Sequence, residues 1–225
     1  GGPAINRTLD RLNIKSEFKQ GLRVTTDEAI EVVEMVLAGS VNKDTVNLLN
    51  QAGADAVGLS GKDGNLLFGT RITTEDGEDI GHVGRIVKVK AEIIHVVCGA
   101  NMIPVIAPIA SGEGGDTLNI NADTAAGEIA AALQAEKLVF LTDTPGLLQD
   151  VNDPESLMHQ LRSSDVEKLK QRGVIAGGMI PKVDACLKAL DYGVRKTHII
   201  DGRVSHSLLL EIFTEKGLGT LVTHA

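Results

Sequence analysis

Tryptophan is absent from this 225-residue sequence and aromatic residues make up 2% of it, although 43% of the chain is hydrophobic. A core must then be filled by Val, Ile, Leu and Ala, the usual filling of parallel strands buried on both faces, which favours an α/β fold over an all-β sandwich. Cysteine is scarce: Cys98 and Cys186 each lie in an apolar stretch without C-x-x-C or metal-ligand spacing, so both are expected to be buried, reduced thiols. The histidines form no His-x-x-x-His pair or His/Cys cluster, which argues against a transition-metal site. No apolar run suits a membrane span, because the most hydrophobic region, 93–110, is interrupted by His95, Gly99, Asn101 and prolines. With no signal or transit segment to be recognised either, a cytoplasmic protein is expected, or a plastid one in a photosynthetic eukaryote. Positive charge is also in deficit: 22 Lys and Arg face 30 Asp and Glu, for a net charge of -8, which argues against a nucleic-acid partner. A small anionic ligand is not excluded, since backbone N–H groups and a few local cations hold a phosphate whatever the net charge.

What is present is an alternation of elements. Ala29, Val32, Val33, Val36 and Leu37 recur at helical spacing behind Asp27 and Glu28, predicting a helix over 26–37 that stops at Gly39 and a second over 43–51. A strand at 56–59 follows, and short half-polar runs around Asp76-Gly77 predict a projecting hairpin over 66–89. Helix 91–100, strand 103–107, an Ala-rich helix to about 134, strand 137–141, helices at 165–171 and up to 192, strand 197–200 and helix 206–213 complete the pattern. This βα order predicts a mostly parallel sheet covered on both faces, with ligands at the carboxyl ends of its strands.

Several segments carry chemistry. Gly177-Gly178-Met179-Ile180-Pro181-Lys182 puts two glycines, a proline and a lysine at a helix start, where backbone donors and an ammonium hold a phosphate; a tight turn with a surface lysine fits equally well. It is not a P-loop, which requires Gly-x-x-x-x-Gly-Lys-Ser/Thr. Asn119 and Asp123 would share one face if a helix begins there, pointing to a polar ligand site, whereas Asn121 or Asp123 as a plain helix cap is the blander reading. Arg23 precedes a helix and suits bidentate capture of a carboxylate, or is merely solvated. Gly1-Gly2-Pro3 reads as the end of a glycine loop opening a helix over 4–12. Ser60 and Ser111 lack the Gly-x-Ser-x-Gly setting of a serine hydrolase.

Taken in order, the segments Gly1 to Asn6, Phe18 to Thr25, Val57 to Gly64, Asn119 to Asp123, Leu141 to Asp143, Gly177 to Lys182 and Asp201 to Arg203 resemble the amino acid kinase family. The resemblance runs from Gly1 to Thr223 and is densest to members that phosphorylate the side-chain carboxylate of N-acetyl-L-glutamate with ATP and Mg²⁺. It implies a three-layer αβα sandwich with a mostly parallel central sheet. It also implies one domain over 1–225 with an amino-acid lobe at 1–134 and a nucleotide lobe at 135–225. By the same resemblance Gly1, Gly2, Arg23 and Asn119 contact the acyl amino acid, and Thr142, Asp143, Gly177 and Met179 the nucleotide. Lys182 reaches the transferring phosphate and Asp123 positions the catalytic lysines, while the hairpin at Asp76-Gly77 is a lid over the substrate. His198, Glu211 and Gly217 match the feedback-arginine site of the inhibited branch, against the blander reading of Glu211 as an exposed helix residue and Gly217 as a C-cap. A homo-oligomer, dimer or hexamer, and docking of the PII signalling protein are further implications. The lysine strand that opens the family lies outside this sequence, which begins at the second glycine of the family's three-glycine loop; a non-catalytic arginine- or PII-binding module is therefore the alternative expectation. Carbamate, glutamate, aspartate and uridylate kinases share the glycine loops but not the paired Gly-Leu-Arg and Asn-Ile-Asn-Ala-Asp segments.

Overall fold

A computed structural model describes residues 1–214 and 217–224. The chain divides into two units, Gly1–Ala125 and Ala126–Ala225.

In the first unit Pro3 opens helix α1 (Gly2–Arg11), whose Ile5 and Leu9 are buried. Strands β1 (Glu17–Lys19) and β2 (Leu22–Val24) form a tight antiparallel hairpin, and Thr26 then caps α2 (Asp27–Glu34) by accepting from Ala29 N at 3.2 Å. The predicted stop at Gly39 does not occur. The helix widens to π geometry over Met35–Val41 and runs on into α3 (Asn42–Gln51), so two expected helices are one continuous rod. Widening by one residue per turn accommodates Gly39 inside the helix while keeping Val36 in the core and burying Asn42. The Asn42 amide donates to the carbonyls of Leu59 and Val105 at 3.2 and 2.8 Å, tying α3 to the parallel pair β3 (Ala56–Ser60) and β6 (Ile103–Ala107).

The predicted hairpin is present as β4 (Leu67–Thr73) and β5 (Asp79–Val89), which turn at Gly77 with φ 81°. Helix α4 (Glu92–Gly99) precedes β6, and two short strands not foreseen from sequence, β7 (Ile109–Ser111) and β8 (Thr117–Ile120), close a small barrel in the order β4-β5-β8-β7. Cys98 is exposed rather than buried, because α4 sends only Ile94 into the core. Ile5, Leu9, Val32, Val33 and Ile109 pack together as one apolar cluster of this unit.

Helix α5 (Ala122–Leu133) leads into the second unit, where β9 (Lys137–Thr142), β10 (Gln160–Arg162), β11 (Lys196–Asp201) and β12 (Thr220–Thr223) form a sheet in the order β10-β12-β11-β9. β9 pairs parallel with β11 and β10 parallel with β12, while β11 and β12 run antiparallel. Helices α6 (Ser163–Gln171), α7 (Met179–Asp191) and α8 (Ser207–Phe213) complete it, and Val166, Leu169, Val183, Cys186, Ala189 and Leu190 share a core with the strands. Mixed α/β architecture holds, with parallel pairs in the β3–β6 sheet, in the barrel (β4–β7 and β5–β8) and in the sheet of the second unit. Among the described residues no helix is long and apolar enough to cross a membrane.

α5 and α7 approach closely at Gly127, where an added Cβ would lie 2.9 Å from Ala185 Cβ and 3.1 Å from its backbone. Helix propensity alone would reward a larger residue there, but overpacking wins because both neighbouring atoms belong to a rigid helix. Gly127→Val is therefore expected to destabilise by about 1–3 kcal/mol, lowering Tm by several degrees in differential scanning calorimetry; an unchanged Tm would show that the two helices separate freely.

Candidate functional site

Four groups of side chains stand out, two in each unit. The first is built on the β1–β2 hairpin. Gln20 and Gly21 both adopt left-handed φ values, 48° and 78°, giving a two-residue turn that places Arg23 directly opposite Phe18. The Phe18 ring lies 4.6 Å from the guanidinium, and Nη1 donates to Ser16 Oγ at 2.5 Å. Arg23 is buried, and that burial pulls its pKa below the ordinary guanidinium value. Among the described residues no acidic side chain pairs with it. A buried cation with neutral partners is an electrostatic demand for an anion.

Thr25, fully buried, follows two residues on. Its N–H donates to Ile80 O at 3.0 Å and its carbonyl accepts from His82 N at 2.7 Å, which fixes β2 against β5. Its hydroxyl donates to Arg23 O at 2.8 Å and accepts from Asn119 Nδ2 at 3.2 Å. Arg23 and Asn119, distant in sequence, are thus joined through one side chain. Asn119 lies on β8, so it does not share a helical face with Asp123 as the spacing suggested. The helix starts at Ala122, and Asn121 caps it by accepting from Thr124 N at 3.1 Å. Asp123 stands in the first turn, where the helix dipole favours an acid. Gly1 caps α1 and packs on the π-helical turn, where a Cβ would meet Leu37 Cδ2 at 2.8 Å; Gly2 has open space around it. No hydrogen bond among the described residues links either glycine to Arg23 or Asn119.

Sequence reading overlooked a polar cluster beside this group. His82, buried, has Nε2 2.6 Å from Asp27 and Nδ1 2.9 Å from Asp116, and Arg71 bonds Asp116 through Nε at 2.6 Å. The Arg71 hydrogen bond holds the Asp116 carboxyl below the usual carboxylate range. These residues lie on α2, β4 and β5 and in the turn before β8, and no local spacing announces them.

In the second unit a cavity of about 410 Å³ opens beyond the carboxyl end of β9, lined by Thr142, Asp143, Leu147, Gly178, Met179 and Lys182 among others. Four of the residues singled out from sequence therefore share one cleft. Gly177, with φ 53°, adjoins the lining at the turn into α7, and Lys182 lies in the helix's first turn. The Thr142 carbonyl accepts from Gly202 N at 2.8 Å, holding the loop against the strand end. Helix N-terminus, glycine turn, lysine and apolar wall suit a nucleotide, with phosphates at the helix end.

A second cavity there, about 290 Å³, is lined by Lys137, Lys196, His198, Glu211, Thr214 and Gly217 among others. Glu211 is buried, not an exposed helix residue, and α8 is capped at Thr214, so Gly217 is not its C-cap. A Cβ on Gly217 (φ 61°) would fall 2.6 Å from Glu211 Oε2, which explains the glycine. Glu211 Oε1 meets His198 Nδ1 at 2.7 Å, and Oε2 accepts from the N–H groups of Leu218 and Gly219 at 2.6 and 3.0 Å. Burial pushes the Glu211 carboxyl up, but these hydrogen bonds outweigh it and hold the acid below its ordinary range. His198 Nε2 is buried without a hydrogen-bond partner.

The amino acid kinase family model matches residues 1–201. The acetylglutamate kinase of Heliobacterium modesticaldum is 56% identical over 230 residues, covering 99% of this chain and 78% of that enzyme. That of Synechocystis sp. is 50% identical over 222 residues, covering 99% and 74%. Among solved structures, N-acetylglutamate synthase from Neisseria gonorrhoeae, complexed with coenzyme A and N-acetyl-glutamate, superimposes with a TM-score of 0.83 at 28% identity, over 97% of this chain and 49% of that one. The chain belongs to the amino acid kinase family, in its acetylglutamate kinase branch.

Proposed function

We propose that this protein transfers the γ-phosphoryl group of ATP to the side-chain carboxylate of N-acetyl-L-glutamate, the step its relatives take in arginine biosynthesis. The observation that carries the reading is Arg23, a buried guanidinium among neutral partners that an α-carboxylate would complete. The acetylglutamate kinases to which the chain is 50–56% identical support the same ligand class. Thr142, Asp143, Gly177 and Met179 take the nucleotide in the cleft at the end of β9, so the first unit serves the amino acid and the second ATP.

A side-chain carboxylate oxygen attacks the γ-phosphorus in line, the bond from that phosphorus to the β–γ bridging oxygen breaks, and an acyl phosphate and ADP result. The acceptor is already ionised at neutral pH, so no general base is needed and the protein's task is positioning and charge neutralisation. Lys182 supplies a cation to the transferring group from the first turn of α7, and the N–H groups of that turn add to it. Asp123 orients cations rather than accepting a proton. Among the described residues no group of three His, Cys, Asp or Glu side chains could hold a metal. Mg²⁺ would be brought with ATP and held largely by its phosphates and water. A cytoplasmic location suits such soluble substrates.

Arginine inhibition is part of the same proposal. The cavity around Glu211 offers a buried carboxylate for a guanidinium and an unsatisfied ring nitrogen, His198 Nε2, for a further polar contact. Because the folded-state pKa of Glu211 is depressed, its charge and its stabilising contribution are present above the unfolded carboxylate value and lost only as pH falls through the folded one.

The primary test traps the acyl phosphate with hydroxylamine and measures hydroxamate formed from ATP and N-acetylglutamate by the full chain. Arg23→Ala is expected to raise KM for N-acetylglutamate by roughly a hundredfold while leaving KM for ATP near its starting value, and Lys182→Met to lower kcat by about 10²–10³. Equal activity with an unacylated amino acid, or an Arg23→Ala variant with normal KM, would overturn the reading. For the regulatory half, millimolar arginine is expected to raise Tm at pH 7, less so once acid protonates Glu211, and not in Glu211→Gln. No shift in the parent protein would remove arginine from the proposal.

A further inference from the structure

We infer that Thr25 is the positioning residue that sets which way round the Asn119 amide faces, and so makes the site selective for an amide N–H on its ligand. The inference rests on the reading of Asn119 as a contact of the acyl amino acid. It follows from counting hydrogens on one buried hydroxyl. Thr25 has a single O–H, and Oγ1 lies 2.8 Å from Arg23 O, a carbonyl that can only accept. The proton is committed there, so Oγ1 can only accept from its other neighbour, Asn119, at 3.2 Å. Nδ2 must then face Thr25. The alternative amide orientation would set Oδ1 against Thr25 Oγ1 with no hydrogen between them, an unsatisfied contact that burial makes costly.

With Nδ2 turned to Thr25, Asn119 Oδ1 is left over. Among the described residues nothing donates to it, and Asn119 is only half-buried. An acceptor held on this side, tied through Thr25 to the backbone of the residue that carries the cation, suits a ligand with a carboxylate and an N–H donor: an N-acylated α-amino acid. The Thr25 backbone is itself fixed from both sides, by Ile80 and His82 of β5. Gly81 between them has φ 72°, and a Cβ there would meet Thr25 O at 2.1 Å. Only glycine combines that conformation with that approach. Sequence alone hides the arrangement, because Thr25, at the end of β2, and Asn119, on β8, lie 94 residues apart.

The experiment compares N-acetylglutamate with 2-acetoxyglutarate, in which an ester oxygen replaces the amide N–H. The parent enzyme is expected to prefer the amide by at least roughly tenfold in kcat/KM, since an acceptor left without its donor is penalised. Thr25→Val removes the hydroxyl at nearly constant volume and lets Asn119 adopt either orientation. It is expected to raise KM for N-acetylglutamate roughly tenfold, to bring the amide-to-ester preference towards unity, and to leave KM for ATP unchanged. Thr25→Ser, which keeps the hydroxyl, should retain the parent's KM and preference. Should Thr25→Val fail to fold, as read by its melting curve, Thr25→Ala supplies a second variant without the hydroxyl and with no added bulk.

The contact at Asn119 and its positioning by Thr25 are separable. If Asn119→Ala leaves KM and the preference untouched, Asn119 is not a substrate contact and the underlying reading falls. If Asn119→Ala raises KM but the hydroxyl-free variants keep the parent's KM and preference, the role given to Thr25 is wrong. A Thr25→Ser variant as impaired as Thr25→Val would likewise overturn it, by showing that the methyl group matters and not the proton.

Discussion

Covering the guanidinium of Arg23 takes a charge out of water and gives it a hydroxyl and an aromatic face in exchange. Neither neutralises it, and the lowered pKa registers the cost. Much of the surrounding structure serves to keep that cost in place. The two-residue turn at Gln20-Gly21 sets the hairpin register that puts Arg23 across from Phe18. Thr25 pins the exit of the strand to β5, and Thr26 begins the helix immediately afterwards. A site that holds its cation ready binds an anion without first rearranging, and the desolvation has already been met by folding.

The second unit holds the opposite charge in a related way. Glu211 is ionised more readily than an ordinary carboxyl because two backbone N–H groups and a histidine converge on it, against the burial that opposes it. The glycine at 217 is part of this, since any side chain would intrude on the carboxylate. What distinguishes the cavity from a satisfied buried pair is the other nitrogen of His198, which is enclosed and unbonded. Buried polar atoms are nearly always paired, so one that is not points outward to something that completes it.

Most of the α/β alternation was legible, because long periodic stretches such as 122–133 and 179–191 declare themselves through buried spacing. What was lost were strands of three or four residues. β1, β2, β7 and β10 are too short to show alternation, and the Gln-Gly turn at 20–21 is weaker than Asn-Gly as a hairpin signal. The break expected at Gly39 failed for a different reason: glycine lowers helix propensity, but burial of Val36 and Asn42, three residues to either side, overrides a penalty of about 1 kcal/mol. Of the candidate residues, Thr142, Asp143, Met179 and Lys182 were found through the family resemblance and meet in one cleft. Thr25 and His82 were not, because their roles exist only between elements far apart in sequence.

The chain's net charge of -8 looks unsuited to two anionic substrates until the sites are considered locally. Transfer to an ionised carboxylate moves no proton in its central step, so the protein needs no tuned base, only cations and N–H donors where negative charge gathers. Such groups are few and fixed: Arg23 beneath its hairpin, Lys182 in the first turn of α7, and backbone N–H groups at glycine turns that add no formal charge at all. The abundant acids lie largely in exposed positions or, as with Asp116 and Asp201, are tied to an arginine. A surplus of surface acid is screened over about 10 Å in ordinary salt, whereas a buried cation acts through a medium that screens it little. Local geometry can therefore draw in an anion that the protein as a whole would repel.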